Sequence, residues 1–183
     1  MKKQIITING SLGSGKSSTA NLVAKELGYK RFSSGDFMRS IALEKGISLN
    51  ELSKEAEQNV EIDKLIDEKV KQAGTEEKLI IDSRLAFHFI PNSFKVYLDL
   101  APEIAKDRIM HDFKENKLRQ ESEGSSSPME IYEKITSRLE SEKKRYLNLY
   151  NIDHTNKENF DIVINTDKTK LQQVVKKITE KYK

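Results

Sequence analysis

The chain has 183 residues, 36% hydrophobic and 33% charged, which suits one α/β domain with its own core and is too short for two domains of ordinary size. Its 32 basic residues are interleaved with 29 acidic ones; a net charge of +3 on that pattern is a solvated surface, and no nucleic-acid partner is expected. The absence of cysteine excludes disulfides, thiolate zinc sites and cysteine nucleophiles.

No stretch approaches the ~20 apolar residues of a membrane span, so no membrane partner is expected. The opening Met1-Lys2-Lys3-Gln4-Ile5 reads as the start of a strand rather than a signal peptide, which points to a cytoplasmic protein. That first strand covers Lys2–Asn9, and a helix follows from Gly15 to about Leu27, ended by Gly28. Tyr29–Ser33 is a short second strand. Ser34-Gly35-Asp36 caps a helix from Phe37 to about Lys45, and Leu49–Ala56 and Val60–Ala73 are two charged helical pieces divided near Asn59. Lys78–Asp82 and Phe94–Leu98 are the third and fourth strands. Pro102 opens a helix to about Phe113, and the polar, serine-rich stretch that ends at Pro128 reads as a mobile loop. A long helix runs from Met129 to about Tyr150, a fifth strand covers Phe160–Ile164, and Lys170–Tyr182 closes the chain as a helix.

Strands alternating with helices imply a three-layer α/β/α domain around a five-stranded parallel sheet. The serine-rich loop lies between two helices of that domain, so residues 111–128 are read as a lid and 1–183 as a single domain. No internal repeat or linker is evident. Phe87, Phe89 and Phe94 are expected in the core, and His88, His111 and His154, which lack metal-ligand spacing, as structural or surface residues.

The sharpest chemical signal is Gly10-Ser11-Leu12-Gly13-Ser14-Gly15-Lys16-Ser17, a G-x-x-x-x-G-K-[ST] loop directly after the first strand. Gly10, Gly13 and Gly15 let backbone N–H groups curl around polyphosphate oxygens, with Ser11, Ser14 and Ser18 alongside; Lys16 neutralises β/γ charge and the Ser17 hydroxyl suits Mg²⁺. The helix that follows adds its positive end at the same place. A nucleoside triphosphate is therefore expected, with ATP and Mg²⁺ as cofactors.

A kinase needs a second anion site facing the first. Only seven basic residues are arginine, in a chain that uses lysine freely: Arg31, Arg39, Arg84, Arg108, Arg119, Arg138 and Arg145. Arginine is the residue for bidentate phosphate contacts, so its positions are informative where they fall in motifs. Ser34-Gly35-Asp36 and Arg39 present a helix start with a cation one turn inside. Asp82 ends an apolar strand, where it can help hold Mg²⁺, with Arg84 two residues on. Arg138, Glu142 and Arg145 lie on one helical stripe. An ordinary cap, a strand-end turn and an exposed charge ladder are the simpler alternatives for these three elements.

Together they resemble the cytidylate kinases, in the short form found in archaea and some bacteria. The likeness spans nearly the whole chain: Gly10–Ser18, Ser34-Gly35-Asp36-x-x-Arg39, Leu52-Ser53-Lys54 with Glu61-Ile62-Asp63, Asp82-x-Arg84, Arg138 to Tyr146, and Phe160 to Thr166. The resemblance implies a P-loop kinase fold with a helical nucleoside-monophosphate-binding insertion at about 34–73, ATP as donor and CMP or dCMP as acceptor. It assigns Ser34, Gly35, Asp36, Arg39, Arg84, Arg138, Glu142 and Arg145 to the acceptor, with Lys16, Arg84, Arg138 and Arg145 in catalysis and Arg108 on the donor side. This chain has Ser83 where the family usually has glycine, and few arginines in the lid. Small-molecule substrates and a monomer are expected. Another acceptor (AMP, UMP or a small metabolite), or a nucleotide-binding module without transfer, stays open on the residues alone.

Overall fold

Alternation along the first strand decides how the sheet is covered. In β1 (Ile5–Gly10) Ile6 and Ile8 turn to one face and Ile5 and Thr7 to the other. Ile6 and Ile8 are fully buried against Ala20 and Val23 of α1 (Lys16–Leu27) and Val174 and Ile178 of α8 (Leu171–Tyr182). Ile5 packs on the opposite side with Ile81 of β3 (Leu79–Asp82), Val70 of α4 (Val60–Ala73) and Ala86 of the short helix α5 (Ala86–Phe89). A strand clothed on both faces needs apolar residues at successive positions, which is why these strands read as continuous runs.

The computed structural model describes residues 4–115 and 127–183. Its five strands are all parallel, in the order β2 (Lys30–Ser33), β3, β1, β4 (Phe94–Asp99), β5 (Ile162–Asn165). Helices cover both faces, giving the expected three-layer α/β/α arrangement. β1 extends to Gly10 rather than Asn9, and β5 begins at Ile162 rather than Phe160. Phe160 leaves the strand because its ring is taken by Phe87 and Tyr97, each with its centroid 4.9 Å away.

The insertion has a core of its own. Met38 and Ala42 of α2 (Ser34–Glu44) pack with Leu49, Leu52 and Ala56 of α3 (Leu49–Gln58) and Ile62 of α4. α2 starts earlier than the sequence reading has it, because Ser33 is the cap: its hydroxyl accepts the Asp36 N–H at 3.2 Å, so Ser34-Gly35-Asp36 forms the first turn instead. Ile109 of α6 (Pro102–Glu115) meets Ile135 of α7 (Pro128–Tyr150), and α7 also lies against α3. Reciprocal bonds between Ser127 and Glu130 cap α7, one residue ahead of the expected start at Met129. Residues 116–126, which make up most of the expected lid and include Arg119, lie outside the described residues.

Gly10 is where strand geometry leaves no room for a side chain. With φ at 155° it passes so close to β4 that a Cβ would stand 2.2 Å from the Leu98 carbonyl oxygen. Both strands are central, so neither can retreat. Gly10→Ala is expected to lower stability by at least about 2 kcal/mol, read as a lower urea midpoint at unchanged slope; an unchanged midpoint would show that β1 and β4 can separate locally.

Candidate active site

Two strands, β2 and β3, finish level at one end of the sheet, and β1 between β3 and β4 runs two residues further. In the parallel register Asp82 pairs with Ile8 on one side and with Ser33 on the other. The segments that follow β1, β3 and β2 therefore start side by side, at the carboxyl ends of the strands where ligands bind in such sheets. They are the glycine loop, Ser83-Arg84, and the first turn of α2.

The glycine loop is held from beneath. Asn9 Oδ1 accepts the Gly10 N–H at 2.7 Å, and the Ser11 N–H donates to the Leu98 carbonyl at 2.9 Å. Gly15, at φ 81°, is the N-cap of α1 and brings no capping side chain. The first-turn N–H groups of α1 are thus available to an anion, with the helix dipole behind them. Lys16 folds back over the loop, its Nζ 3.0 Å from the Gly10 carbonyl and 2.9 Å from that of Ser11. The donor side of the cleft is lined by Gly13, Ser14, Gly15, Lys16, Ser17 and Ser18, with Arg31 and Arg108 over them. Arg108 is positioned by a bond to the Thr166 carbonyl at 2.9 Å.

The Ser17 hydroxyl donates to Asp82 Oδ2 at 2.7 Å. A hydroxyl and a carboxylate in contact beside a polyphosphate loop are the hard oxygen donors that Mg²⁺ takes one or two of, completing its shell with water and phosphate. The donor set fits that ion. Arg31 approaches the same carboxylate oxygen at 3.1 Å.

Between the two sides Arg31 and Arg39 grip one carboxylate, Arg31 and Asp36 lining the glycine-loop half and Arg39 lining both. Arg31 reaches Asp36 at 3.0 Å and Arg39 reaches it at 2.5 Å. Partial burial pushes the Asp36 carboxyl up, and the two guanidinium groups outweigh it and hold it below its ordinary range. Ser34 donates weakly to the Asp82 carbonyl at 3.5 Å, and Gly35 lies under the Arg39 fork. Arg84 is ion-paired with Glu142, which is only 5% exposed. Burial alone would raise the Glu142 carboxyl, but Arg84, Arg138 and Arg145 lower it, so it remains a carboxylate. Ser34, Gly35, Arg39, Arg84, Arg138 and Glu142 all line the acceptor half of the cleft, together with Gly13, Lys16 and Ser17 from the loop. The two halves share Gly13, Lys16, Ser17, Arg39 and Ile109 in their walls and so adjoin as one cleft.

Arg145 does not join them. Its Nε donates to Asp63 at 2.8 Å and its Nη1 to Ser141 at 2.5 Å, and the pair with Asp63 is nearly buried, with side chains 9% and 3% exposed. Arg138, Glu142 and Tyr146 hold the face of α7 that lines the cleft, and Arg145 lies at the edge of that face, turned sideways onto α4. Asn9, Arg31 and Asp67 were not singled out from sequence. The scarcity of arginine was a usable signal for Arg31, whereas Asn9 and Asp67 carry no motif. Asn9 also donates to the Arg84 carbonyl at 3.1 Å and the His154 carbonyl at 2.8 Å, tying the loop to both. His154 is buried as a structural residue, its imidazole edge-on to Tyr146, and burial foremost drives its pKa down to about 4.

Comparison with known proteins agrees with this arrangement. Residues 5–168 match the cytidylate kinase-like family. The chain is 36% identical over 172 residues to the cytidylate kinase of Archaeoglobus fulgidus, covering 93% of this chain and 89% of that one. It is 34% identical over 182 residues to the S-adenosylmethionine-dependent nucleotide dehydratase of Lacinutrix mariniflava; the match takes in 98% of this chain and spans only 36% of that longer protein. Among solved structures, shikimate kinase from Bacteroides thetaiotaomicron superposes with a TM-score of 0.62 at 14% identity, over 96% of both chains, a likeness of fold.

The nearly buried pair of Arg145 with Asp63 has a consequence for stability. Removing one partner of a buried ion pair strands the other charge, at a cost of about 3–5 kcal/mol. Arg145→Ala and Asp63→Ala are each expected to destabilise by roughly that amount, and the double variant by clearly less than their sum. Strictly additive losses in urea unfolding would mean that the two groups do not interact.

Proposed function

The chain belongs to the cytidylate kinase-like family, and from that premise we propose that it transfers the γ-phosphoryl group of ATP to the 5′-phosphate of CMP or dCMP, giving ADP and CDP or dCDP. The observation that carries this reading is the single cleft in which Lys16 and Ser17 line both the glycine-loop half and the arginine half. An enzyme that only hydrolysed or bound a triphosphate would have no use for the second half.

In the reaction a bond forms between an acceptor phosphate oxygen and the γ-phosphorus as the bond from that phosphorus to the β–γ bridging oxygen breaks. No covalent intermediate with the protein is needed, so the protein's task is positioning and charge neutralisation. Lys16 and the amides of Gly13, Gly15, Lys16, Ser17 and Ser18 hold the donor phosphates, with Arg108 above them. Arg39 and Arg84 take the acceptor phosphate in bidentate contacts. Arg138 stands where it can neutralise charge that develops on the transferring group. Mg²⁺, held by Ser17 and Asp82, would supply a further positive charge on the phosphate oxygens. Glu142 and Asp36 keep the guanidinium forks aimed before substrate arrives, so less reorganisation is left for the reaction itself.

The insertion at about 34–73 has its own small core and lines the arginine half of the cleft, which supports residues 1–183 as one kinase domain with an acceptor-binding insertion. Among the described residues no helix is long and apolar enough to cross a membrane.

An acceptor panel at fixed ATP tests the reading. ADP formation is expected to be stimulated by CMP and dCMP well above UMP and AMP. Lys16→Ala is expected to lower turnover at least about a hundredfold, while Arg39→Ala raises the acceptor KM more than the ATP KM. If no nucleoside monophosphate stimulates ADP release over the ATP-only rate, the chain is not this kinase.

A further inference from the structure

Four carboxylates line the cleft: Asp36, Asp67, Asp82 and Glu142. Three are neutralised by guanidinium groups, Asp36 by Arg31 and Arg39, Asp82 by Arg31 and Glu142 by Arg84. Asp67 is different. It is only 5% exposed, and among the described residues it has no ion-pair partner. Its Oδ2 accepts a hydrogen bond from the Tyr150 hydroxyl, and the carboxylate lines the cavity. The carboxylates nearest to it, Asp63 and Glu68 on the same helix, repel its charge, and the Lys71 ammonium that would relieve it is bound to Glu68 at 2.8 Å. Burial above all, with Asp63 adding to it, raises the Asp67 carboxyl to about 6, so most of it is still ionised at neutral pH.

A mostly buried carboxylate with one neutral partner keeps acceptor capacity to spare, and Asp67 turns that capacity toward the cavity it lines. Its surroundings indicate which donor suits it. Asp67 sits on α4 beside Ile66, and Leu49 and Met38 line the same part of the cavity, which makes that part apolar and suited to the faces of a flat ring. The phosphate-gripping arginines Arg39 and Arg84 line the cavity too, so a ligand anchored by its phosphate there would extend its other end toward the apolar part. What Asp67 can receive from that end is an N–H. A carboxylate accepts from the exocyclic amino group at C4 of cytosine; uracil presents a carbonyl oxygen at the same place, and two acceptors repel.

We propose that Asp67 is the residue that reads the acceptor base, accepting a hydrogen bond from the C4 amino group and so selecting cytosine over uracil, with the Tyr150 hydroxyl holding the carboxylate in position. This rests on the kinase reading above and supplies its acceptor preference. Tyr150 approaches from the last turn of α7, the helix that carries Arg138 and Glu142, so the base-reading group and the charge-neutralising group are set by the same rod.

The test is Asp67→Asn, with kcat/KM measured for CMP, dCMP and UMP at saturating ATP. Asparagine is nearly isosteric and can present either a carbonyl or an NH₂ to the base, so it accepts both pyrimidines. The CMP-to-UMP ratio is expected to fall at least about tenfold, with the KM for ATP unchanged and the CMP-to-dCMP ratio unchanged. Tyr150→Phe keeps the carboxylate and removes its holder; it is expected to raise the KM for CMP with little change in kcat, and it decides the matter if Asp67→Asn does not fold. Equal losses for CMP and UMP in Asp67→Asn overturn the proposal, as does a shift confined to the CMP-to-dCMP ratio, which would place Asp67 on the sugar. So does an unmoved KM for CMP in Tyr150→Phe. A wild-type protein that phosphorylates CMP while these variants fail the test refutes the base-reading role alone, whereas a wild-type protein inactive on every monophosphate refutes the kinase reading beneath it.

Discussion

Everything in the cleft depends on one row of the sheet, Ser33–Asp82–Ile8, running across β2, β3 and β1. Parallel register fixes where each strand stops, and here β2 and β3 stop on one row with β1 running two residues past it. The glycine loop, the Asp82–Arg84 segment and the first turn of α2 have no other means of finding one another, since they come from distant parts of the chain. A slip by one residue in β3 would turn Ile80, which packs toward α1 and α8, onto the face occupied by α4 and α5. Burial on both faces therefore protects the register, and the register places the chemistry.

Asp82 is the hinge between the two halves in a chemical sense as well. It takes the Ser17 hydroxyl and the Arg31 fork from the donor side, and Arg31 continues through Asp36 to Arg39, which lines both halves. The chain Ser17–Asp82–Arg31–Asp36–Arg39 alternates in sign past its first member. Such an alternating line contributes modestly to stability, because its members are desolvated or half-exposed. Its effect is geometric: each guanidinium fork is held at a fixed angle by a carboxylate, and anion-binding groups that are already aimed need little reorganisation when phosphate enters. Arg84 with Glu142 repeats the device on the opposite wall.

The layers of this fold were legible because apolar runs, glycine stops and serine caps are local signals. The glycine loop was legible for the same reason, since its spacing is contiguous and its chemistry follows from the backbone. The acceptor side was legible in part. Arg39, Arg84 and Arg138 stand in short motifs and line the cleft; the pairing of Arg145 with Asp63 was not legible, because spacing groups residues on a face of α7 and does not show that the edge of that face meets α4. Asp67 was out of reach: a carboxylate on a charged helix looks like any solvated residue until tertiary packing buries it beside Ile66 and under Tyr150. The cap at Ser33 was misplaced by one residue, as Ser33 and Ser34 are equivalent in composition and only the strand before them distinguishes which is free to cap.

The central claim is that two anion cradles, one of backbone amides with Lys16 and one of guanidinium groups, face each other across a single cleft. The most direct measurement is calorimetric binding of a two-headed ligand, adenosine and cytidine joined 5′ to 5′ by five phosphates, compared with ATP and CMP separately. One molecule per chain is expected to bind at least about a hundredfold more tightly than either nucleotide alone, and both Lys16→Ala and Arg39→Ala should weaken it. Binding no tighter than that of ATP, or binding lost with Lys16 but indifferent to Arg39, would contradict the claim and leave a protein that holds a triphosphate with nothing opposite it.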